Sequence, residues 1–420
     1  MFNLKLHWQV LIAMIGGAFV AMIFGERALI FSPLGTIFMK LLKMVIVPLI
    51  LFSVTSGVTS IGDSNTLGRM GVKVFGYYML TSILAILVGL SLTNLLQPGK
   101  GINFSVDSNK FDPSTLSQPN SLADVIIRMI PSNPIKAMAD GEILALIFWS
   151  IVLGIAITQI SDKPKKAIIK GFDYGFELMM KLTQGIIAFL PIGVFGLIIN
   201  AIVNSGIDLF KVIGFYWITI AIGLSIHWLI ILPLVFYSFT KINPIKHWKA
   251  MSSAFITAFS TSTSLGTLPV TMNCLKKNIG VSNKTSSFVL PLGATINMDG
   301  TALYECAGVL FISQVLGAEL EIYQQFIIVI TAFLASIGTA AIPSAGLVMI
   351  FIVLDAVGLS NNPEVPIIVG AMLAVDRPLD MFRTVINITS DSIGAVILAK
   401  SENEKNLYKK LKNIFFYCSF

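Results

Sequence analysis

The sequence LPLGATINMDGT occupies residues 290–301, near the middle of an apolar run that extends over 285–315. A proline, two glycines, an asparagine and an aspartate interrupt what would otherwise be a continuous apolar helix. These residue types favour a local break, which frees backbone carbonyl groups. Carbonyl, amide and carboxylate oxygens are the ligands that hard cations prefer. The stretch therefore predicts an unwound segment at membrane depth, with Asn297 and Asp299 as cation ligands.

The composition of the whole chain requires a lipid environment. Of the 420 residues, 55% are hydrophobic and 12% are charged, whereas a soluble domain carries about 25% charged residues. An ordinary soluble enzyme is excluded, because one globular core could not hide so much apolar surface. The net charge of +7 does not indicate a nucleic-acid partner, since the placement of basic residues matters more than their sum in a membrane protein.

Cysteines and histidines are few and widely scattered: Cys274, Cys306, Cys418, His7, His227 and His247. No pair of them has the spacing of a zinc or redox site. The sequence therefore predicts neither a resident cofactor nor catalysis by cysteine and histidine, and we do not expect an enzyme.

Apolar runs long enough to cross a bilayer, about 20 residues each, define the expected architecture. There are eight, near 8–25, 36–61, 74–96, 142–160, 174–204, 211–239, 285–315 and 365–399. We therefore predict an all-α, multi-span membrane protein with eight transmembrane helices.

Two further apolar stretches, 248–282 and 324–357, are each interrupted by small and polar residues. The interruptions read STSTSLGTLP at 260–269 and SIGTAAIPSAG at 336–346. The flanks of each are too short to span a bilayer alone. Non-helical backbone at membrane depth needs protein or water around it, so we predict two re-entrant helical hairpins. The alternative is a pair of surface loops between short helices.

The basic residues orient the chain in the membrane. With the N-terminus inside and both hairpins re-entrant, the inner side receives most of the Lys and Arg residues. No cleavage site follows the first run, so we interpret it as a retained span. We expect the plasma membrane, or the cell inner membrane in a bacterium, with both termini cytoplasmic. Residues 97–140 are rich in Pro, Asn, Ser and Asp and predict an external loop.

The last run, 365–399, carries a stripe of polar residues. All lie within roughly 100° of arc on an α-helix: Asp376, Asp380, Arg383, Thr384, Asn387 and Asp391. Such a stripe faces a bundle interior or a wet cavity. Three carboxylates and one guanidinium leave an excess of negative charge, which requires a cation in a low dielectric. The alternative is a self-neutralising contact between helices.

Together these motifs resemble the dicarboxylate/amino acid:cation symporters, the glutamate-transporter family. NMDGT at 297–301 follows a serine-rich first hairpin, and AIPSAG at 341–346 and LDMFRT at 379–384 come after it in order. The resemblance covers essentially the whole chain. It implies eight spans plus two oppositely oriented hairpins, built as inverted repeats, a homotrimer, and an elevator-type mechanism.

The same resemblance implies three parts of the chain. Residues 1–247 are mainly scaffold and trimerisation helices, with the third span contributing to the transport domain. Residues 248–400 form the transport core. Residues 401–420 form a cytoplasmic tail along the inner interface.

The family's substrate pocket maps onto the hairpins and the last two spans. Arg383 resembles the arginine that binds the side-chain carboxylate of an acidic substrate through two parallel hydrogen bonds. Asp380 resembles the acceptor of the substrate's α-ammonium group. The resemblance completes the pocket with Thr301, Asn387, Thr384, Ser264 and backbone at Ile342 and Gly346.

The resemblance also implies three sodium sites. The first comprises Gly293, Asn297, Asn387 and Asp391. The second comprises Thr295, Ser336, Ile337 and Thr339. The third comprises Tyr78, Thr81, Ser82, Asn297 and Asp299. Without the resemblance, the three residues of the third span would be interpreted as helix-packing residues.

The sequence departs from the family at the arginine that supports the pocket. Some members carry it in the first hairpin, and others directly after the aspartate that corresponds to Asp380; here Ser262 and Met381 stand at those positions. We expect Arg377 to take over this role by pairing with Asp376 or Asp380.

The expected function is the import of aspartate, glutamate or a C4-dicarboxylate, coupled to sodium. Many proton-coupled bacterial members carry a glutamate in the serine-rich tip, where this chain has Leu265, which favours sodium over protons. The expected partners are the acidic substrate, sodium and the lipid bilayer. A proton-coupled symporter and a substrate-gated, anion-conducting channel stay open as alternatives.

Overall fold

The computed structural model describes residues 6–60, 65–100, 127, 130–140, 142–205, 208–338, 345–360, 362–405 and 407–408. Within these ranges every regular element is helical, which confirms the predicted all-α fold. An α-helix satisfies its own backbone hydrogen bonds, as a lipid environment demands.

The N-terminal helices, apart from α3, form one packed group. Their bounds are α1 Leu6–Phe24, α2 Ser32–Ser60, α3 Asn65–Leu96, α4 Pro134–Asp140, α5 Ile143–Gln159, α6 Asp162–Ala188 and α7 Leu190–Ser205. Of the predicted external loop, α4 is described and residues 101–126 lie outside the described residues. Helix α2 packs against α5, α6 and α7, and α1 packs against α7.

The C-terminal helices surround the longest helix of the described chain. They are α8 Asp208–Ile226, α9 Leu232–Thr240, α10 Pro244–Thr261, α11 Ser264–Cys274, α12 Asn283–Ile296, α13 Asp299–Val315, α14 Ile322–Gly338, α15 Ala345–Ala356 and α16 Val365–Ser401. Helix α16 packs against α8, α10, α12 and α13, and α3 packs along α13. The division into scaffold and transport core stays a prediction.

Several helices are suited to a bilayer. Four described segments are long and apolar enough to cross one: Ile12–Phe38, Arg69–Leu96, Lys211–Thr240 and Val375–Ser401. A fifth results if Asp162–Ile186 and Leu190–Val203, bent by 54°, count as one span. The structure thus supports a protein with several membrane-spanning helices. The count of eight spans and the re-entrant hairpins stay predictions.

The interruptions seen in the sequence coincide with helix ends. Helix α10 ends one residue before Ser262, which has a left-handed backbone with φ of 53°. Thr263 then caps α11 by accepting a hydrogen bond from the Gly266 N–H at 3.3 Å. The break is shorter than expected, because Pro269 lies within α11. Residues 339–344 of the second interruption lie outside the described residues.

The stretch at 290–301 is also broken over a shorter length than expected. Only Asn297 and Met298 separate α12 from α13, and Pro291 lies inside α12. A proline in a helix removes one backbone donor and does not always end the helix. Helix α12 therefore carries the apolar part of the motif, and α13 begins at its aspartate, Asp299.

The residues after α16 attach the chain end to its neighbours. Glu402 accepts hydrogen bonds from Lys73 at 2.7 Å and Arg69 at 2.5 Å, both in α3. Its bonds to Lys73 and Arg69 lower the pKa of the Glu402 carboxyl. Glu404 accepts from the hydroxyl of Ser282, which caps α12, at 2.6 Å. Residues 409–420 of the predicted cytoplasmic tail lie outside the described residues.

Gly196 permits α7 to approach the start of α2 closely. A Cβ at this position would lie 2.6 Å from the backbone nitrogen of Gly35 and 2.8 Å from the carbonyl oxygen of Phe31. Backbone atoms cannot move aside as a flexible side chain can, and overpacking costs about 1–3 kcal/mol. We therefore expect Gly196→Ala to lower the melting temperature of the detergent-purified protein.

Gly214 in α8 provides the matched control. A Cβ there has no atom within 4 Å, and alanine is the better helix former. Gly214→Ala should leave the melting temperature unchanged or slightly raised. Equal melting temperatures for the two variants would contradict the close crossing at Gly196.

Candidate functional site

Four charged side chains of α16 form one cluster. Arg383 donates through Nη2 to Oδ1 of Asp376 at 2.9 Å and to Oδ1 of Asp380 at 3.0 Å. Arg377 donates through Nη1 to Oδ2 of Asp380 at 3.2 Å. Separations of three and seven residues lie on one face of a helix, so α16 brings the groups together by itself. Arg377 thus pairs with Asp380 rather than Asp376, and two guanidinium groups balance two carboxylates.

Arg383 is buried with part of its donor capacity unused. Its side chain is 2% exposed, and its Cζ lies 3.7 Å from the ring centroid of Tyr304 in α13. Nε and Nη1 have no hydrogen-bond partner among the described residues. A guanidinium has five N–H donors, and an unsatisfied buried donor is costly. The site therefore favours an additional acceptor, most strongly an anion.

Three other predicted substrate residues lie near this guanidinium. A Cβ on Gly346 would lie 3.0 Å from Nη1 of Arg383 and 3.2 Å from Cγ2 of Thr301. Asn387 accepts from the Gly300 N–H at 2.9 Å and donates to the Thr301 hydroxyl at 3.4 Å. The first turns of α13 and α15 thus meet α16 at Arg383, where helix N-termini favour negative charge.

The remaining predicted substrate residues are placed differently. Thr384 donates its hydroxyl to the carbonyl of Asp380 at 2.9 Å and so is engaged within its own helix. Ser264 is buried as the first residue of α11, a helix that contacts α16. Ile342 lies outside the described residues.

A second polar region follows along α16. Asn297, in the break between α12 and α13, donates through Nδ2 to Oδ1 of Asp391 and to the Ser390 hydroxyl, both at 2.9 Å. A Cβ on Gly293 would lie 2.4 Å from Oδ1 of Asp391 and 2.7 Å from the Tyr78 hydroxyl. The structure therefore brings together Gly293, Asn297 and Asp391 of the first predicted sodium set. Oδ1 of Asn297 has no partner among the described residues.

Asp299 forms a neighbouring buried site with α3. Its Oδ1 accepts hydrogen bonds from Ser82 at 2.7 Å and Thr81 at 3.2 Å, so these three residues of the third predicted set lie together. Its Oδ2 lies 3.3 Å from Nε2 of His227. The hydroxyl of Tyr78 instead donates to the carbonyl of Val289 at 3.0 Å.

The second predicted sodium set is only partly assembled. Thr295 donates to the carbonyl of Leu292 at 3.0 Å, and Ser336 donates to the carbonyl of Phe333 at 2.7 Å, each within its own helix. Thr295 and Ile337 line one cavity of about 230 Å³. Thr339 lies outside the described residues.

Asp299 and Asp391 are unusual because neither pairs with a lysine or arginine of the described chain. Both are buried, at 0% and 2% exposure. Described arginines and lysines pair instead with Asp376, Asp380 and Glu402. A buried carboxylate is costly unless it is paired or binds a metal ion. The hydroxyls of Thr81 and Ser82 and the amide of Asn297 also offer oxygens, which suit a hard cation.

Comparison with known proteins decides the class of this membrane protein. The chain matches the sodium:dicarboxylate symporter family over residues 6–401. It belongs to this family. Its relatives include an excitatory amino acid transporter of Caenorhabditis elegans, 35% identical over 87% of this chain and 80% of that protein. Human excitatory amino acid transporter 3 is 33% identical over 87% of this chain and 78% of its own length.

A third relative, putative sodium-dependent excitatory amino acid transporter glt-4 of Caenorhabditis elegans, is 34% identical over 87% of this chain and 82% of its length. The chain is therefore a symporter of this family and not an enzyme.

Two residues of the site were not predicted from the sequence as functional. Tyr304 stacks on Arg383; it lies three residues after Thr301, on the same face of α13. His227 contacts Asp299, and an ionisable residue inside an apolar run is a signal for function. Both signals were present in the sequence. The residues that Tyr304 and His227 contact, however, lie on helices distant in the chain.

Gly293 offers a test of the cation region. Because a Cβ there would overlap Asp391 and the Tyr78 hydroxyl, Gly293→Ala should displace the carboxylate. We expect sodium to raise the melting temperature of the purified wild-type protein, and we expect the variant to lose this rise. Gly185→Ala in α6, with no atom within 4 Å of the added Cβ, should keep it. A full sodium response in Gly293→Ala would argue against this assignment.

Proposed function

We propose that the protein is a secondary active symporter that imports an acidic amino acid, aspartate or glutamate, or a C4-dicarboxylate, together with sodium. The observation that carries this proposal is the buried guanidinium of Arg383, which keeps Nε and Nη1 without partners in the described structure. Guanidinium groups bind carboxylates through parallel hydrogen bonds. An anionic substrate would supply the acceptors that this group lacks.

The surroundings of Arg383 favour a small substrate. Gly346, whose added Cβ would lie only 3.0 Å from Nη1, leaves space for a ligand atom beside the guanidinium. Thr301 and Asn387 present a hydroxyl and an amide next to it. These polar groups are few and convergent, as in other small-molecule sites. Ser264, Thr384 and backbone at Ile342 belong to the same proposal, which follows the family resemblance.

Asp380 favours an amino acid over a simple dicarboxylate. It accepts hydrogen bonds from Arg383 and Arg377. A carboxylate also attracts an ammonium group through charge-assisted hydrogen bonds, so the α-ammonium group of a substrate would bind beside it. The relatives named above are amino acid transporters, which agrees with this choice. Arg377 would then hold Asp380 in place, as a supporting arginine from elsewhere does in other family members.

Sodium is the coupling ion that best matches the buried carboxylates. Asp299 accepts from the hydroxyls of Thr81 and Ser82, and Asp391 accepts from the amide nitrogen of Asn297. Oδ1 of Asn297 lacks a partner within the described ranges. Hard cations prefer such oxygen ligands. The proposed ligands are those of the three predicted sets, including Thr295, Ser336, Ile337 and Thr339. One relative is named as a putative sodium-dependent transporter.

The mode of operation belongs to the same proposal. We infer a homotrimer in the plasma membrane, with cytoplasmic termini, scaffold residues mainly in 1–247 and an elevator-type transport core at 248–400. Large apolar side chains are exposed on helices of the first group, including Phe19 at 64% and Leu178 at 63%. Exposed apolar surface of this kind requires lipid or a neighbouring subunit.

The decisive test of the proposed function is uptake into proteoliposomes. We expect accumulation of labelled aspartate under an inward sodium gradient, with glutamate and succinate as competitors. An inward proton gradient without sodium should give none. Accumulation driven by protons alone would support the proton-coupled alternative, and substrate-dependent anion current without accumulation would support a channel.

Arg383→Lys tests the substrate pocket. Lysine keeps the charge but cannot form two parallel hydrogen bonds, and a charge-assisted bond contributes about 1.5–3 kcal/mol. We expect the apparent affinity for aspartate to fall roughly 10- to 100-fold, measured as uptake against aspartate concentration. Arg27→Lys, at an exposed arginine in the turn after α1, is the control and should behave as wild type. Undiminished affinity in Arg383→Lys would refute the pocket.

A further inference from the structure

We propose that His227 is a positioning residue of the Asp299 cation site. Its imidazole holds one oxygen of the carboxylate so that the other stays directed at the hydroxyls of α3. This inference rests on the sodium coupling proposed above and extends it to a helix outside the predicted ligand sets.

A local irregularity of the backbone places His227 in the interior. A π-helical turn, His227–Ile231, separates α8 from α9, and the Leu232 N–H donates to the carbonyl of His227 across it. Pro233 follows at the start of α9, and its missing N–H interrupts the regular pattern of backbone hydrogen bonds. Such wide turns change the direction of side chains and are frequent at functional sites.

The contact with Asp299 is fully enclosed. The His227 and Asp299 side chains are each 0% exposed, and Nε2 lies 3.3 Å from Oδ2. Oδ1 accepts from Ser82 at 2.7 Å and Thr81 at 3.2 Å. Two hydroxyls of α3 therefore hold Oδ1, and the imidazole of His227 holds Oδ2. These three contacts define the plane of the carboxylate.

The tautomer of His227 follows from this arrangement. Because the carboxylate oxygen is an acceptor, Nε2 carries a proton and donates to it, and in a neutral ring Nδ1 then carries none. Nδ1 has no hydrogen-bond partner among the described residues. Within the described structure the ring's hydrogen bond is therefore the one to Asp299. A leucine at this position would fill a similar volume and would leave no buried nitrogen unsatisfied.

The function of the contact is to orient a ligand. Groups that hold the ligands of a metal ion typically change its affinity by about 10- to 100-fold when they are removed. Loss of the imidazole would free Oδ2, so that Asp299 could rotate away from the position defined by Thr81 and Ser82. The affinity for sodium should fall, while the affinity for substrate at saturating sodium should change little.

The test compares two substitutions of His227 with a control. His227→Leu keeps the bulk and removes the donor, whereas His227→Gln keeps an N–H donor at a similar reach. Thr219→Val removes a buried hydroxyl from the preceding helix, α8. In the described structure this hydroxyl bonds to its own helix, to the carbonyl of Phe215 at 2.9 Å. Each variant is reconstituted, and aspartate uptake is measured against sodium concentration at saturating aspartate and at fixed pH.

We expect the half-saturating sodium concentration to rise roughly tenfold in His227→Leu, with wild-type values in His227→Gln and Thr219→Val. The sodium-dependent rise in melting temperature of the purified proteins should follow the same order, which tests ion binding without transport. An unchanged sodium dependence in His227→Leu overturns the inference, as do equal losses in the Leu and Gln variants. No sodium dependence in the wild type would instead refute the proposed sodium coupling.

Discussion

Two buried carboxylates that pair with no lysine or arginine of the described chain are the feature on which the rest of the structure depends. Asp299 and Asp391 lie in the interior, where an unpaired charge is among the most costly groups to bury. The break at Asn297 and Met298 separates α12 from α13 and starts α13 at Asp299. The hydroxyls of α3 and the amide of Asn297 then converge on the two carboxylates. A regular helix through this region would not arrange these oxygens in the same way.

The polar face of α16 divides this chemistry between two regions. Toward its N-terminal half, Arg383 and Arg377 neutralise Asp376 and Asp380. Two turns further on, Asp391 has an amide as its partner. Asn387 lies between the regions and bonds to the first turn of α13. One helix therefore presents a neutral cluster with unused donors and, beside it, a negative cluster of oxygens.

Much of this organisation could be predicted because a lipid environment restricts which backbone structures and which positions of charged residues are possible. Apolar runs must be helical, and the few charged residues within them must face inward. The interruptions at Ser262 and Asn297 follow from local residue types, although each break proved shorter than expected, since prolines at 269 and 291 are accommodated within helices. The polar stripe of the last run is buried, as its periodicity indicated.

The partners of these residues could not be predicted in the same way, because they depend on tertiary packing. Its place in the sequence puts Arg377 near Asp376 and Asp380 but does not choose between these two carboxylates. Tyr304 and His227 reach the site from other helices, and no local pattern states which helices are adjacent. For the same reason the sequence could not show that the hydroxyl of Tyr78 bonds to the carbonyl of Val289. The resemblance to a family supplied the ligand sets, but not the geometry within them.

The separation of charges along α16 gives the proposed symport a physical basis for coupling. The cluster around Arg383 is neutral before substrate arrives, so a bound dicarboxylate adds negative charge to an interior that already contains Asp299 and Asp391. Arg383 and Asp391 are eight residues apart on α16, which is about 12 Å along the helix, and unit charges at that distance interact by roughly 1.4 kcal/mol at an effective dielectric constant of about 20. A sodium ion at the carboxylates would thus strengthen substrate binding about tenfold through charge alone. Linkage requires the substrate to strengthen sodium binding by the same factor. Each ligand therefore binds more weakly when the other is absent.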